Sequence, residues 1–163
     1  MAISSYKVDF TLIYEVAKEY PEMIIYMIGK IGEGELNTDV SLLKSLENIV
    51  FLGAKEYNEL PRYIAFFDVC ILPCNLNPYT KSMFPMKFFE YLAAGKPVVS
   101  TELDSIKEYS KYCYFAKNSK EFGEYILRAY KENSDLMIES RQNLAKNYTY
   151  ENRMKKMLAL IQR

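Results

Sequence analysis

The chain has 163 residues, half of them hydrophobic, and its 21 basic side chains are balanced by 21 acidic ones, with no histidine. A chain of this length suits one domain with its own hydrophobic core, and zero net charge gives no overall field that would attract nucleic acid. The lack of histidine excludes Ser-His-Asp and Cys-His catalysis within the chain and disfavours a zinc site.

The first third of the sequence alternates helical patterns with short apolar runs. Asp9 can cap the first helix and Pro21 stops it. The two apolar runs each end in glycine and are typical of strands buried on both faces of a parallel sheet. The predicted elements are a helix in VDFTLIYEVAKEY, a strand at 23–29, a loop at 30–39, a short helix near 40–46 and a strand at 48–53.

The same alternation continues to residue 116, after which the pattern is helical. Asn118 or Ser119 and Ser134 are plausible helix caps. The predicted elements are a helix at 57–67, a strand at 68–73, a polar connection at 74–84, a helix at 85–94, a strand at 97–100, a short helix near 104–110, a strand at 112–116 and helices at about 119–132, 135–147 and 150–162.

Strands that alternate with helices predict an α/β fold, and we expect residues 1–163 to form a single doubly wound, parallel, Rossmann-like sheet with a helical C-terminus. Ligands of such sheets bind beyond the carboxyl ends of the strands. The predicted site is therefore built from the loops after Gly29, Gly53, Pro73 and Ser100.

Cys70, Cys74 and Cys113 are an odd number of cysteines, which we interpret as buried free thiols in a reducing compartment. Their spacing offers no second ligand pair for a metal. The N-terminal residues lack the pattern of a signal peptide, and no apolar run approaches the ~20 residues that span a bilayer. We therefore expect a cytoplasmic protein without a metal site.

The stretch PMKFFEYLAAGKPVVST, residues 85–101, carries the clearest chemical signal. A helix that begins at Pro85 presents free N–H groups and a dipole that favour an anion. The positive charge of Lys87 in the first turn is unfavourable beside the positive end of that dipole. A negatively charged ligand at this position would explain why a lysine is present. Glu90, on the same face, can accept hydrogen bonds from the vicinal hydroxyls of a ribose. The residues fit a nucleoside diphosphate, but a surface ion pair worth a few tenths of a kcal/mol is equally open.

The segment FPMKFFEYLAAGKPVVST resembles the donor-binding signature of the group 1 family of GT-B glycosyltransferases, P-x-K-x-x-E-Y-L-A-x-G-K-P-V-V. The signature at 85–99 is specific. Four further segments resemble the family in the right order, although each is weak alone: AISSYKVDFTLIYEVAKEYP, PEMIIYMIG, ENIVFLGAKEYNELPRYIAFFDVCILP and YTYENRMKKMLALI. The resemblance covers nearly the whole chain.

The resemblance implies a role for each matching residue. Glu90 corresponds to the second of two glutamates and would hold the ribose hydroxyls. The first glutamate, which touches the donor sugar, is replaced by Ser82, so Thr80 or Ser82 is the candidate to contact the sugar instead. The remaining nucleotide-sugar candidates are the backbone N–H groups of Met83 and Phe84 and the side chain of Lys87 for the phosphates, Gly29 and Gly53 for close approach of the nucleotide, and Lys55 at the edge of the base.

The resemblance further implies the donor-binding half of a hexosyltransferase that transfers sugar from UDP or GDP to a glycan or lipid-linked acceptor, with retention and without a metal or other cofactor. The N-terminal acceptor half is not in this sequence, so we expect the chain to be inactive alone. The full-length enzyme could lie at the membrane periphery. The helix at 148–163 would pack on the acceptor half, and its apolar face could otherwise make a homodimer: Met154, Met157, Leu158 and Ile161.

Two alternatives stay open at this point. One is a nucleotide-sugar epimerase of the same architecture. The other is a non-catalytic, doubly wound interaction domain, such as a signalling receiver. A receiver needs acidic residues at the carboxyl ends of its first and third strands, where this sequence has Lys30 and Pro73, with Asp68 at the opposite end of its strand. A nucleotide titration distinguishes a purely structural domain, which should bind no nucleotide, from a glycosyltransferase domain or an epimerase.

Overall fold

The structure is a computed structural model that describes residues 3–32, 38–149 and 152. Within those ranges, five strands alternate with helices as the sequence predicts. The elements are α1 (Phe10–Glu19), β1 (Ile25–Ile28), α2 (Ser41–Lys44), β2 (Ile49–Gly53), α3 (Leu60–Phe66), β3 (Cys70–Leu72), α4 (Pro78–Ser82), α5 (Met86–Ala93), β4 (Val98–Thr101), a 3-10 helix (Asp104–Tyr109), β5 (Cys113–Ala116), α6 (Ser119–Lys131) and α7 (Asp135–Lys146).

Every strand pairing between these elements is parallel, which confirms the doubly wound α/β class. In the first sheet β1 lies beside β2, with Ile25 opposite Ile49. In the second sheet β4 lies between β3 and β5, so that Val98 is opposite both Cys70 and Cys113. Among the described residues, the strands therefore form a two-stranded and a three-stranded sheet rather than one continuous ladder.

The two sheets share one hydrophobic core. A single cluster of buried side chains contains Val16 of α1, Ile25 of β1, Val99 of β4 and Phe122 of α6. Residues of both sheets thus pack against the same helices, and α1 also packs against α6. The two sheets therefore belong to one structural unit with a common core.

A second core positions α5. Phe88 and Leu92 are fully buried in a cluster with Val98 of β4 and Ala145 of α7. The buried guanidinium of Arg141 donates to the carbonyl oxygen of Gly95 at 3.0 Å, just beyond the end of α5. Packing against β4 and α7, together with the hydrogen bond from Arg141, fixes α5 over the second sheet.

Side-chain capping explains the starts of three of the described α-helices, α1, α4 and α6. The Asp9 carboxylate accepts from the N–H of Leu12 at 2.9 Å, as predicted. Two details differ from prediction: Pro85 is the N-cap of α5 rather than its first helical residue, and the polar connection 74–84 contains the short helix α4. Apart from Asn152, the predicted helix at 150–162 lies outside the described residues, and with it the predicted homodimer contact.

Candidate functional site

The carboxyl ends of β1 and β2 meet at two glycines. The N–H of Gly29 donates to the carbonyl oxygen of Gly53 at 3.0 Å. Gly53 has φ +71°, a left-handed conformation, and a Cβ built there would meet nothing within 4 Å. Glycine is thus required at 53 for backbone conformation rather than for space. The space beside Gly53 is open, and its role in letting a nucleotide approach remains a prediction.

Lys87 and Glu90 form an ion pair one turn apart on α5, with 2.6 Å between Nζ and Oε2. Their side chains are 21% and 26% exposed, so solvent and a ligand can reach both. Pro85 makes no side-chain cap bond to the first turn of α5. The start of this helix therefore combines a positive dipole end, an ammonium group and a carboxylate.

Tyr57 is a candidate site residue that the sequence reasoning missed. It lies in the loop after β2, the residue is 74% exposed, and the Nζ of Lys87 is 5.9 Å from the centroid of its ring. In the same loop, the Nζ of Lys55 lies 5.4 Å from the ring centroid of Tyr63. One tyrosine among 15 carried no pattern that could have marked it.

The predicted sugar contacts lie on or beside α4. Thr80 is fully buried and closes a capping box with Asn77, in which each side chain accepts from the other residue's N–H at 2.9 Å. This role as a cap disfavours a sugar contact from Thr80. Ser82 is exposed, and its hydroxyl donates only a long bond of 3.3 Å to the carbonyl oxygen of Pro78. Ser82 is therefore the better placed of the two.

Met83 and Phe84, whose backbone N–H groups are predicted to meet the diphosphate, have local structural roles. The N–H of Met83 donates to the carbonyl oxygen of Thr80 at 3.2 Å and so ends α4. The ring of Phe84 stacks on Phe89 with centroids 5.3 Å apart. A phosphate contact from Met83 would replace its bond to Thr80, and both assignments remain predictions.

Six of the nine predicted residues fall into three groups. Gly29 and Gly53 contact each other, and Lys87 and Glu90 pair within reach of Tyr57. Ser82 and Met83 line a separate shallow hollow with three more residues, Tyr6, Pro78 and Tyr79. The structure thus assembles a charged and aromatic site at α5 and keeps the α4 residues beside a different hollow.

Nucleophilic and metal chemistry find little support in the described residues. Burial raises the pKa of Cys70 to about 12 and that of Cys74 to about 11, so both thiols are protonated at neutral pH and are poor nucleophiles. Within residues 3–32 and 38–149, three or more His, Cys, Asp or Glu side chains do not gather into a potential metal site. In the same part of the chain, every helix is too short or too polar to cross a bilayer.

Comparison with known proteins gives consistent matches. Residues 11–132 match the model of the family described as "Glycosyl transferases group 1". A Bacillus subtilis (strain 168) protein named "Putative teichuronic acid biosynthesis glycosyltransferase TuaH" is 39% identical over 111 residues, which are 66% of this chain and 27% of that protein.

Three solved structures share the fold. Anabaena Alr3699/HepE, in complex with UDP and glucose, has a TM-score of 0.75 at 19% identity and is matched over 98% of this chain and 46% of its own. The pneumococcal O-GlcNAc transferase GtfA, in complex with UDP and GlcNAc, has a TM-score of 0.65 at 16% identity. The match covers 94% of this chain and 32% of GtfA. WaaG, a glycosyltransferase involved in lipopolysaccharide biosynthesis, has a TM-score of 0.59 at 14% identity. The match covers 85% of this chain and 38% of WaaG. The chain spans less than half the length of each of these relatives.

Proposed function

This chain belongs to the group 1 family of glycosyltransferases, and we propose that it is the donor-binding part of a glycosyltransferase and binds a nucleoside-diphosphate sugar at the start of α5. The observation that carries this proposal is the Lys87–Glu90 pair, which is open to solvent beside the exposed ring of Tyr57. Two of the similar structures hold UDP and a sugar, which supports UDP as the first nucleotide to test.

Binding exchanges the ion pair for two ligand contacts. The diphosphate takes the ammonium group of Lys87, and the ribose diol donates to the carboxylate of Glu90. Each charged group keeps a partner, so neither is left desolvated and unpaired. Tyr57 offers its ring to the base, because the loop after β2 brings that ring beside Lys87. A contact between the sugar and Ser82 requires the sugar to extend from the start of α5 to the separate hollow beside α4. Ser82 is the candidate because it corresponds to the first of the two glutamates in the family signature.

The finer parts of the proposal rest on the family. We expect a hexose donor, retention at the anomeric carbon, no metal, and a glycan or lipid-linked acceptor held by the rest of a longer enzyme. The relative named for teichuronic acid biosynthesis supports a role in polysaccharide assembly. A cytoplasmic location and a peripheral contact of the whole enzyme with a membrane are proposals of the same kind.

Isothermal titration calorimetry with uridine, UMP, UDP and GDP tests the site. We expect UDP or GDP to bind more tightly than uridine, and Lys87→Met to weaken the diphosphate by more than the nucleoside. Lys131→Met, at the exposed carboxyl end of α6, is the matched control and should bind like the parent chain. Equal losses for UDP and uridine in Lys87→Met would contradict a phosphate role for Lys87, and no nucleotide binding at all would contradict the proposed function.

A further inference from the structure

Two asparagines tie the segment ahead of α1 to the loop that follows β3. The side-chain amide of Asn77 donates to the carbonyl oxygen of Tyr6 at 2.7 Å. Asn75 donates twice, from its side-chain amide to the carbonyl oxygen of Ser5 at 2.6 Å and from its backbone N–H to that of Lys7 at 3.0 Å. These three hydrogen bonds hold the two loops together and leave their side chains on the surface beside α4.

This framework brings two tyrosine rings together. The ring centroids of Tyr6 and Tyr79 lie 5.7 Å apart, and the ring planes are tilted by 56°. The two residues are 51% and 44% exposed. Tyr79 lies in the first turn of α4, which the capping box of Asn77 and Thr80 fixes, and the Nζ of Lys7 lies 5.3 Å from the centroid of the Tyr79 ring. Both rings are therefore held in place while a large part of each residue stays open to solvent.

The two rings line the shallow hollow described above, together with Pro78, Ser82 and Met83. We call it the α4 hollow. Aromatic, proline and methionine side chains offer apolar surface, and the hydroxyl groups of Ser82 and Tyr79 can donate and accept hydrogen bonds. A pyranose ring has the matching chemistry, because its C–H groups form apolar faces and its hydroxyl groups project from the rim.

The geometry of the α4 hollow favours a sugar over a nucleobase. A flat base stacks on a ring that lies parallel to it, and the 56° tilt gives Tyr6 and Tyr79 no common plane on which a base could lie. A puckered pyranose ring can contact both tilted rings at once. The exposed ring of Tyr57, which is the proposed contact of the base, is not among the residues that line this hollow.

We propose that the α4 hollow holds one pyranose unit of the acceptor glycan, which packs against Tyr6 and Tyr79. This inference rests on the proposed function. If the donor sugar extends from the start of α5 toward Ser82, it ends at this hollow, because Ser82 lines it. Donor sugar and acceptor must be neighbours for transfer, so the acceptor unit beside the donor sugar lies in the hollow. The remainder of the acceptor is held by the rest of the longer enzyme.

NMR titration of the isotope-labelled chain with methyl β-glucopyranoside, cellobiose, maltose and chitobiose, without nucleotide, tests this inference. At least one of these sugars should shift the amide signals of Tyr6, Tyr79 and Ser82 more than those elsewhere. Tyr79→Ala should weaken that sugar by at least about fivefold, as expected when an aromatic anchor is truncated. Tyr79→Phe keeps the ring and should bind within about twofold of the parent chain. Tyr6→Ala should weaken the same sugar, and Tyr130→Ala, 59% exposed on α6, is the matched control and should not.

A second titration in the presence of UDP, GDP, UDP-glucose or UDP-GlcNAc separates the possible sources of the sugar. Binding at the α4 hollow that persists beside a bound nucleotide sugar supports an acceptor subsite. If a nucleotide sugar displaces the glycoside while UDP and GDP do not, the donor sugar occupies the hollow and the proposal is wrong. No binding of the four sugars at tens of millimolar, or an equal loss in Tyr130→Ala, also overturns it. Because the first titration uses no nucleotide, its failure with nucleotide binding intact contradicts this inference alone, whereas failure of nucleotide binding contradicts the proposed function.

Discussion

The Nζ of Lys87 lies 2.6 Å from Oε2 of Glu90, so the two charges that are proposed to bind a donor neutralise each other in the chain itself. A ligand that offers an anion and a pair of hydroxyl groups together should therefore bind more tightly than one that offers either alone, because separating the pair for one contact alone leaves the other charge without its partner. We thus expect a nucleoside diphosphate to bind more tightly than pyrophosphate or the nucleoside.

Glu90→Gln should weaken UDP or GDP binding by about 1–3 kcal/mol, the cost of a charged hydrogen-bond partner lost. Folding should change by no more than about 1 kcal/mol, since the ion pair that it breaks is partly exposed. Calorimetric titration and urea unfolding measure the two effects. Glu139→Gln, exposed on α7, is the control for loss of a carboxylate. Unchanged affinity in Glu90→Gln would remove Glu90 from the site.

Tyr57→Ala should weaken uridine and UDP by a similar factor, worth about 1–3 kcal/mol if the ring stacks on the base. Pyrophosphate, which has no base, should bind as before. Because Tyr57 is 74% exposed, the free energy of unfolding should shift by less than about 0.5 kcal/mol. Tyr57→Phe keeps the ring and should keep the affinity. A loss confined to UDP, with uridine unaffected, would show that Tyr57 acts through Lys87 instead.

Ser82→Glu should alter the preference among nucleotide sugars while UDP or GDP affinity stays nearly fixed. The side chain at 82 is exposed and its one bond is 3.3 Å long, so the larger residue can be accommodated. Competition titrations with a panel of UDP- and GDP-sugars measure the preference, and Ser82→Ala controls for loss of the hydroxyl. A change in nucleotide affinity without a change in sugar preference would show that Ser82 does not occupy the position of the family's first glutamate.

Stability should fall as the pH rises above about 9. The ordinary pKa of the thiols is 9.0, and burial raises the pKa of Cys70 to about 12 and of Cys74 to about 11. The unfolded chain therefore releases these protons first, and each thiol removes up to about 1.4 kcal/mol of stability per pH unit between its unfolded and folded pKa. Urea unfolding at pH 8, 9 and 10 should show this decline. In Cys74→Ala the stability should decline less steeply with pH. An equally steep decline would contradict a contribution from the Cys74 thiol.

The strands were predictable because each is a short apolar run between glycine, proline or polar residues, as IYMI before Gly29 illustrates. Helix α4 was missed because the Asn77–Thr80 capping box, not an apolar stripe, defines it. Tyr57 became visible only when folding brought the β2 loop to Lys87. The division of the described strands into a two-stranded and a three-stranded sheet had no signal either, since an apolar pattern identifies a strand but says nothing about which of its edges is paired.

The purified chain alone should bind nucleotide but transfer no sugar. Transfer needs donor and acceptor held at near-attack distance in a site closed to water, and this chain spans only 27% of its Bacillus subtilis relative and 46% of the Anabaena protein. We would incubate the chain with radiolabelled UDP-glucose and UDP-GlcNAc and a mixture of glycan and lipid-linked acceptors, and follow both product and released UDP. Titration of the same preparation with UDP is the control that the donor site is intact. Steady, chain-dependent transfer to any acceptor without a second protein would mean that one half of the cleft suffices, and the proposal that the acceptor is held by the rest of a longer enzyme would then be wrong.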